Sequence, residues 1–238
     1  MKKLANYLLY QGQLLQELFF PRCCSICGVA IEEGCLCSSC RPAYSLGRRS
    51  LFTGTDYRLS QPQAQDILHK LLLLCKYDGP YKELLQQIKF APQGRLLYML
   101  MEEAEVALKQ LPKEWLAPFD IITNIPTAKE RVIKRGYDIP LRLFSIFRDL
   151  FPGKYRPHLL VRQRSTLPLY QLQVADRRAE LQGCFKLAAG KAVAGKHILL
   201  CDDIFTTGST MAEAATVLYE AGARAVSGLA FTASKDNW

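Results

Sequence analysis

The fold class this 238-residue sequence predicts is α/β, a parallel sheet flanked by helices behind a small N-terminal helix and cysteine knuckle. Three observations predict it. Short apolar runs alternate with helical spacings through the second half of the chain, the pattern of a doubly wound sheet. One such run, residues 197–201, leads through two adjacent acids into a hydroxyl-glycine turn and a helix. Six of the nine cysteines fall between Cys23 and Cys40.

Taken in order, residues 4–20 are leucine-rich but broken by Asn6, Gln11, Gly12, Gln13, Gln16 and Glu17. No continuous apolar stretch reaches spanning length. No small-residue cleavage pattern follows. The segment reads as an amphipathic helix packing on its own protein, with weak membrane association as the alternative. Residues 71–77 predict a buried strand and Asp78-Gly79-Pro80 a turn. Helices are expected over residues 81–90, 95–111 and 139–151, the second stopped by Pro112. Strands are expected at 119–125, 197–201 and 226–231, with a helix over 209–221 and a basic, irregular stretch over 154–180. The division expected is residues 1–50 for helix and knuckle and 51–238 for the α/β domain. Its boundary falls within 46–55, where Gly47 and Gly54 flank a basic patch.

The segment His197–Thr210 carries the sharpest chemistry. Asp202 and Asp203 follow the apolar run at the end where open α/β sheets place ligands. Thr206, Thr207, Gly208, Ser209 and Thr210 then turn into a helix, offering hydroxyls, backbone N–H groups and the helix N-terminus to a phosphate. Two carboxylates beside such a nest repel the anion, so they need another task. Accepting hydrogen bonds from the vicinal hydroxyls of a ribose supplies one. Two solvated aspartates before a capped helix is the plainer alternative.

The spacing Cys24-x2-Cys27-x9-Cys37-x2-Cys40 suits a tetrathiolate zinc site, closed to water and therefore structural. Cys23 and Cys35 are spare, which leaves the register open. Clustered cysteines without a secretory pattern also fit a reducing cytoplasm better than a disulfide framework. Cys75, Cys184 and Cys201 sit in apolar surroundings and read as core. His69, His158 and His197 are scattered and receive no role.

The net charge is +9, and residues 127–186 hold thirteen basic residues against five acids, a surplus of eight. A solvated surface is the plain reading of any one arginine. For the stretch as a whole, binding of a polyanion such as single-stranded DNA is expected, with Arg162, Arg164, Arg177 and Arg178 as contacts. Tyr137, Tyr155 and Tyr170 punctuate it as packing residues or platforms for bases.

Residues 198–210, ILLCDDIFTTGST, closely resemble the phosphoribosyl diphosphate (PRPP) loop of type I phosphoribosyltransferases. The resemblance implies that Asp202 and Asp203 bind the ribose hydroxyls and that Thr206 to Thr210 bind the 5-phosphate. Purine enzymes of that group usually carry an acid where Thr206 stands, so hypoxanthine or guanine salvage is not expected. With the two CxxC turns, Ile88-Lys89-Phe90, Ile125-Pro126, Arg131, Arg135-Gly136-Tyr137, then Arg162, Arg164, Thr166 and Gln171, and finally Arg177, Arg178 and Gly183-Cys184-Phe185, the chain resembles the ComF/GntX family almost throughout. That family commonly continues its RGF/Y element with Asn-Gln, where this chain has Asp138-Ile139. Little sequence follows Phe231 to build a base-recognising hood unless the N-terminal region supplies it.

The resemblance implies a cytoplasmic protein of DNA uptake during natural transformation, free or peripheral to the inner membrane through the uptake machinery. As a binding protein it would grip PRPP or a nucleotide 5-phosphate. As a phosphoribosyltransferase of nucleotide metabolism or salvage it would use PRPP with Mg²⁺. Asp202 and Asp203 would then hold the ribose, and Arg131 and Arg135 the departing diphosphate.

Overall fold

A computed structural model of the protein describes residues 22–44, 67–90, 94–166 and 179–234. The helix expected over 4–20, the boundary within 46–55, and Tyr170, Gln171, Arg177 and Arg178 lie outside those residues. In chain order the elements are α1 (Arg41–Tyr44), β1 (Leu71–Lys76), α2 (Gly79–Phe90), α3 (Gly94–Lys109), α4 (Lys113–Leu116), β2 (Ile121–Asn124) and α5 (Lys129–Arg135). They continue with α6 (Ile139–Leu143), α7 (Phe147–Leu150), β3 (Leu160–Arg162), β4 (Phe185–Leu187), β5 (His197–Phe205), α8 (Ser209–Glu220) and β6 (Ala225–Ala233).

The central sheet has the order β1-β6-β5-β2, every pair parallel. Leu71 to Leu74 are all buried, as an uninterrupted apolar run in a sheet covered on both faces must be. Alternation then sorts the strands. Leu72, Leu74, Ile122, Leu199, Cys201, Leu229 and Phe231 pack on the side of α2, α3 and α6. Leu71, Leu73, Ile121, Ile198, Leu200 and Ala230 pack on the side of α8. Each fully buried leucine contributes about 1.5–3 kcal/mol, so the paired faces hold the domain. The helix α8 packs against Gly228 through Met211. A Cβ there would lie 2.3 Å from Met211 Sδ and 2.7 Å from Leu71 Cδ1.

Three expected elements differ. The turn at residues 78–80 is the start of α2, with Pro80 in its first turn, where proline's missing N–H has no helical partner to lose. The single helix expected over 139–151 is two. Ser145 Oγ donates to the Arg142 carbonyl (2.8 Å), and Phe147, Arg148 and Asp149 donate to carbonyls three residues back. The tighter turn breaks the α-helix there and stacks Phe144 on Phe147, both fully buried. The stretch expected to be irregular holds β3, which pairs antiparallel with β4 as a second, two-stranded sheet.

Candidate functional site

The strand β5 runs four residues beyond the expected Cys201, because Asp202, Ile204 and Phe205 stay in register with Ala230, Thr232 and Ala233 of β6. Asp202 and Asp203 therefore lie within the strand, four and three residues before its turn. Asp203 falls on the face of Leu199 and Cys201, the side of α2. There Lys89, next to last in α2, reaches it, with Nζ 2.8 Å from Asp203 Oδ2. Asp203 Oδ1 accepts the Ile204 N–H (2.9 Å), and Asp202 Oδ1 accepts the Asp203 N–H (2.9 Å). Three of the four carboxylate oxygens thus already face donors.

The two acids titrate as a pair. Burial, then the neighbouring Asp203 charge, pushes Asp202 well above the usual carboxylate range. Burial pushes Asp203 the same way, but the Lys89 ammonium beside it, aided by Arg135, more than offsets this and holds it below. One proton on Asp202 and one charge on Asp203 is the state this environment favours.

After Phe205 the chain turns through Gly208, whose φ of 76° suits glycine and opens α8. Thr207 Oγ1 and Ser209 Oγ lie 2.9 Å apart, and the Ser209 N–H points to Thr207 Oγ1 at 3.5 Å. Thr206 is exposed, while Thr207, Ser209 and Thr210 are half-buried. The turn is thus a hydroxyl-rich lip over a helix N-terminus, as read from the sequence.

Arg131 and Arg135 lie on α5, which follows β2, the strand beside β5. Arg135 is 7% exposed, its Nε has no hydrogen-bond partner among the described residues, and its charge interacts with Asp203 and Asp138. Arg131 Nη2 donates to the Thr166 carbonyl (3.1 Å). Asp138, where the ComF pattern has Asn, caps α6. It accepts the Leu141 N–H (3.1 Å) and the Thr127 N–H (3.0 Å). Lys89 is the site residue that the sequence reading left without a task. The motif containing it was visible, but a contact across 114 positions was not.

Arg162 and Arg164 join β3 to the segment before β4. The Arg162 guanidinium lies over the Phe185 ring, 5.4 Å from its centroid, and donates to Thr166 Oγ1. Arg164 Nη2 donates to the carbonyls of Glu180 (2.6 Å) and Gln182 (3.0 Å). Both arginines hold protein, whatever else they touch. Tyr155 accepts from Asn124 Nδ2 (2.8 Å) and Tyr137 donates to the Ile88 carbonyl (3.1 Å). The two tyrosines are packing residues.

At the other end of the described chain, the Sγ atoms of Cys24, Cys27, Cys37 and Cys40 all lie within 4.8 Å of one another. The Sγ atoms of Cys27 and Cys37 are 3.7 Å apart, close to the roughly 3.8 Å edge of a tetrahedron with zinc–sulfur bonds of about 2.3 Å. Backbone amides support anionic sulfur here. Burial raises the Cys24 thiol, yet N–H groups of Cys27, Cys37 and Ile26 bring it down to about 6. Cys23 and Cys35 stand outside the cluster, which fixes the register. Burial and the nearby Glu102 push Cys35 up to about 12. These four residues fit a structural metal. Asp202 and Asp203 do not fit a directly bound Mg²⁺, because the Lys89 ammonium already sits on Asp203.

The fold and site define an α/β protein with a parallel four-stranded sheet, an acid pair and a hydroxyl-rich turn at one end of β5, and a four-cysteine cluster. No family model matches the chain. It is 27% identical over 210 residues to the DNA utilization protein YhgH of Salmonella typhi, covering 85% of this chain and 86% of that one. The protein of the same name from Escherichia coli K12 is 27% identical over 165 residues, covering 66% and 69%. Competence protein F of Haemophilus influenzae is 28% identical over 164 residues, covering 64% and 68%. These likenesses support a ComF-family relationship for the chain.

Proposed function

We propose that the pocket at the end of β5 binds a 5-phosphoribosyl group, as PRPP or a nucleotide 5-phosphate, and that the protein acts in DNA utilization during competence. The role in DNA use rests on its relatives' names. The ligand rests on one arrangement: Asp202 and Asp203 beside the Gly208 turn and the N-terminus of α8, with Lys89 and Arg135 against the acids. The turn and helix N-terminus suit the phosphate. The ionised Asp203 accepts a ribose hydroxyl, while Arg131 and Arg135 face whatever anion extends from C1. Calorimetric titration with ribose 5-phosphate tests this. Tight binding to the wild type and loss in a folded Asp202→Asn/Asp203→Asn variant support it; equal affinity in both refutes it.

The knuckle is proposed to carry one zinc, to be counted by elemental analysis of untagged protein. Single-stranded DNA is the proposed polymer partner. Its supporting feature is the basic surplus of residues 127–186, which includes exposed Lys129 and Lys134 on α5 beside the pocket. Arg162 and Arg164, and Arg177 and Arg178 outside the described residues, remain proposed contacts, the first two from internally braced positions. The uptake machinery is the proposed protein partner. Among the described residues no helix is long and apolar enough to cross a membrane, so a cytoplasmic or peripheral location is proposed. The division at residue 50 is a proposal too.

A second reading, phosphoribosyl transfer, draws on Arg135. A buried guanidinium with an unpartnered Nε is a preorganised donor for charge developing on a leaving diphosphate. Release of diphosphate from PRPP in the presence of bases or amines would establish that reading, and Arg135→Met should abolish the release.

A further inference from the structure

We propose that Lys89 is the pocket's own counter-ion, so that the phosphoribosyl ligand is held without a divalent metal. The inference rests on the pocket's reading as a phosphoribosyl site, and it assigns the charge that completes that site.

The argument is one of position and charge balance. Lys89 places its ammonium 2.8 Å from Asp203 Oδ2, with 28% of the side chain exposed against 11% for the aspartate. The lysine is thus the more exposed partner of the pair, open to an oxygen of a ligand that reaches Asp203. Asp203 Oδ1 and Asp202 Oδ1 already accept backbone N–H groups. A divalent ion bound to Asp203 Oδ2 would sit beside the Lys89 ammonium, one cation against another.

Arg135 adds a further positive charge, more than nine-tenths buried, with its Nε unpartnered among the described residues. Asp138 is the other acid facing Arg135, and its oxygens accept the amides of Thr127 and Leu141. Two cations, Lys89 and Arg135, thus meet the ionised Asp203, while burial raises the Asp138 carboxyl above the usual carboxylate range. With Asp202 held neutral, the empty pocket has no surplus negative charge to attract a dication. The anionic ligand brings that charge itself. The flexible four-carbon stem of lysine lets one ammonium bridge Asp203 and a ligand oxygen, a bridge that Mg²⁺ would otherwise supply.

The test is calorimetric titration of the full chain with PRPP and with ribose 5-phosphate. Buffers are freed of magnesium by resin rather than by a chelator, which would strip the cysteine cluster, and are then compared with the same buffers plus Mg²⁺. The wild-type Kd for PRPP is expected to change by less than about threefold on adding Mg²⁺, a free-energy difference under the tenfold step. Lys89→Gln should weaken binding at least about tenfold without magnesium, as expected for loss of a charged hydrogen bond, with partial rescue by Mg²⁺. Lys89→Arg should keep binding magnesium-independent, which separates charge from packing if the glutamine variant folds poorly. Wild-type binding of PRPP only with Mg²⁺ overturns the inference and leaves the phosphoribosyl reading standing, as does unchanged affinity in folded Lys89→Gln. No binding of either ligand in either buffer removes both.

Discussion

The cysteine knuckle and the pocket strand are held by opposite means. From Cys24 to Cys40 only Cys24, Cys35 and Leu36 are buried, and the segment is closed by turns such as Gly28 N–H to the Cys24 carbonyl (2.9 Å). Seven of the nine residues of β5 are buried, between two partner strands and under helices on both faces. A segment of the first kind takes its shape from bonds to an ion. A strand of the second kind takes it from excluded water and needs no ligand. The strand that carries the proposed ligand site is therefore shaped by packing alone, whereas a knuckle held by a proposed metal would form together with it.

Removing the metal should break that comparison most visibly. Structural zinc supplies an apparent 10–16 kcal/mol, roughly, in small knuckles. Chelation, or Cys37→Ser, should expose the amides of residues 22–44 to hydrogen exchange while β5 and β6 stay protected. Loss of protection in the sheet at the same chelator concentration would show that the two regions fold as one.

Acid should act on the sheet instead. At the end of β5 away from the pocket, His197 is buried, shares a 3.0 Å hydrogen bond with Ser227 Oγ and packs edge-on against Phe119 and His69. Burial first, then the neighbouring His69, Arg224 and Lys70 charges, pushes it down to about 4. The folded state thus holds the neutral ring. Its contribution is complete above the unfolded value of about 6.5 and is lost as pH falls from there toward 4, on the order of 3 kcal/mol in all. Denaturant titrations from pH 7 to 4.5 should show this fall in wild type and a shallower one in His197→Gln. Parallel curves would assign the acid sensitivity elsewhere.

Neutralising the charged acid of β5 should weaken ligand binding next. Asp203→Asn leaves the Lys89 ammonium unpaired and removes a charged acceptor, a loss of about 2 kcal/mol in ribose 5-phosphate affinity. The melting temperature should fall as well, because Asp203 is buried and its charge faces Lys89 and the buried Arg135. A large fall in melting temperature with unchanged affinity would make Asp203 a structural residue and nothing more.

The smallest expected effect is on salt dependence. If single-stranded DNA runs from the pocket over α5, Lys129→Ala/Lys134→Ala should flatten the log–log salt slope by about 1.4, near 0.7 per lost phosphate contact. Arg162→Ala/Arg164→Ala should flatten it similarly, but also loosen the β3–β4 pair that these arginines brace. Fluorescence anisotropy at several salt concentrations reads the slopes. Identical slopes in all three proteins would assign the basic surplus to solvent.

What the sequence determined by itself is whatever short-range pattern dictates. Leu71 to Leu74 and residues 197–201 could be read as buried strands because parallel strands are apolar on both faces. The acid pair and the Gly208 turn, within nine positions of one another, could be read as a pocket lip. Cysteine spacing gave the knuckle but not its register, which waited on the burial of Cys35 away from the other sulfurs. The division of residues 139–151 into two helices was hidden, because one hydroxyl, Ser145, decided it through a local hydrogen bond. The pairing of Lys89 with Asp203 and the burial of Arg135 belonged to tertiary structure alone. Sheet order brings β2 and its following helix α5 beside β5, and α2 packs over the face on which Asp203 falls. Neither the order of strands nor the face a helix covers is written in the spacing of any one segment, since both follow from how separate apolar surfaces exclude water together.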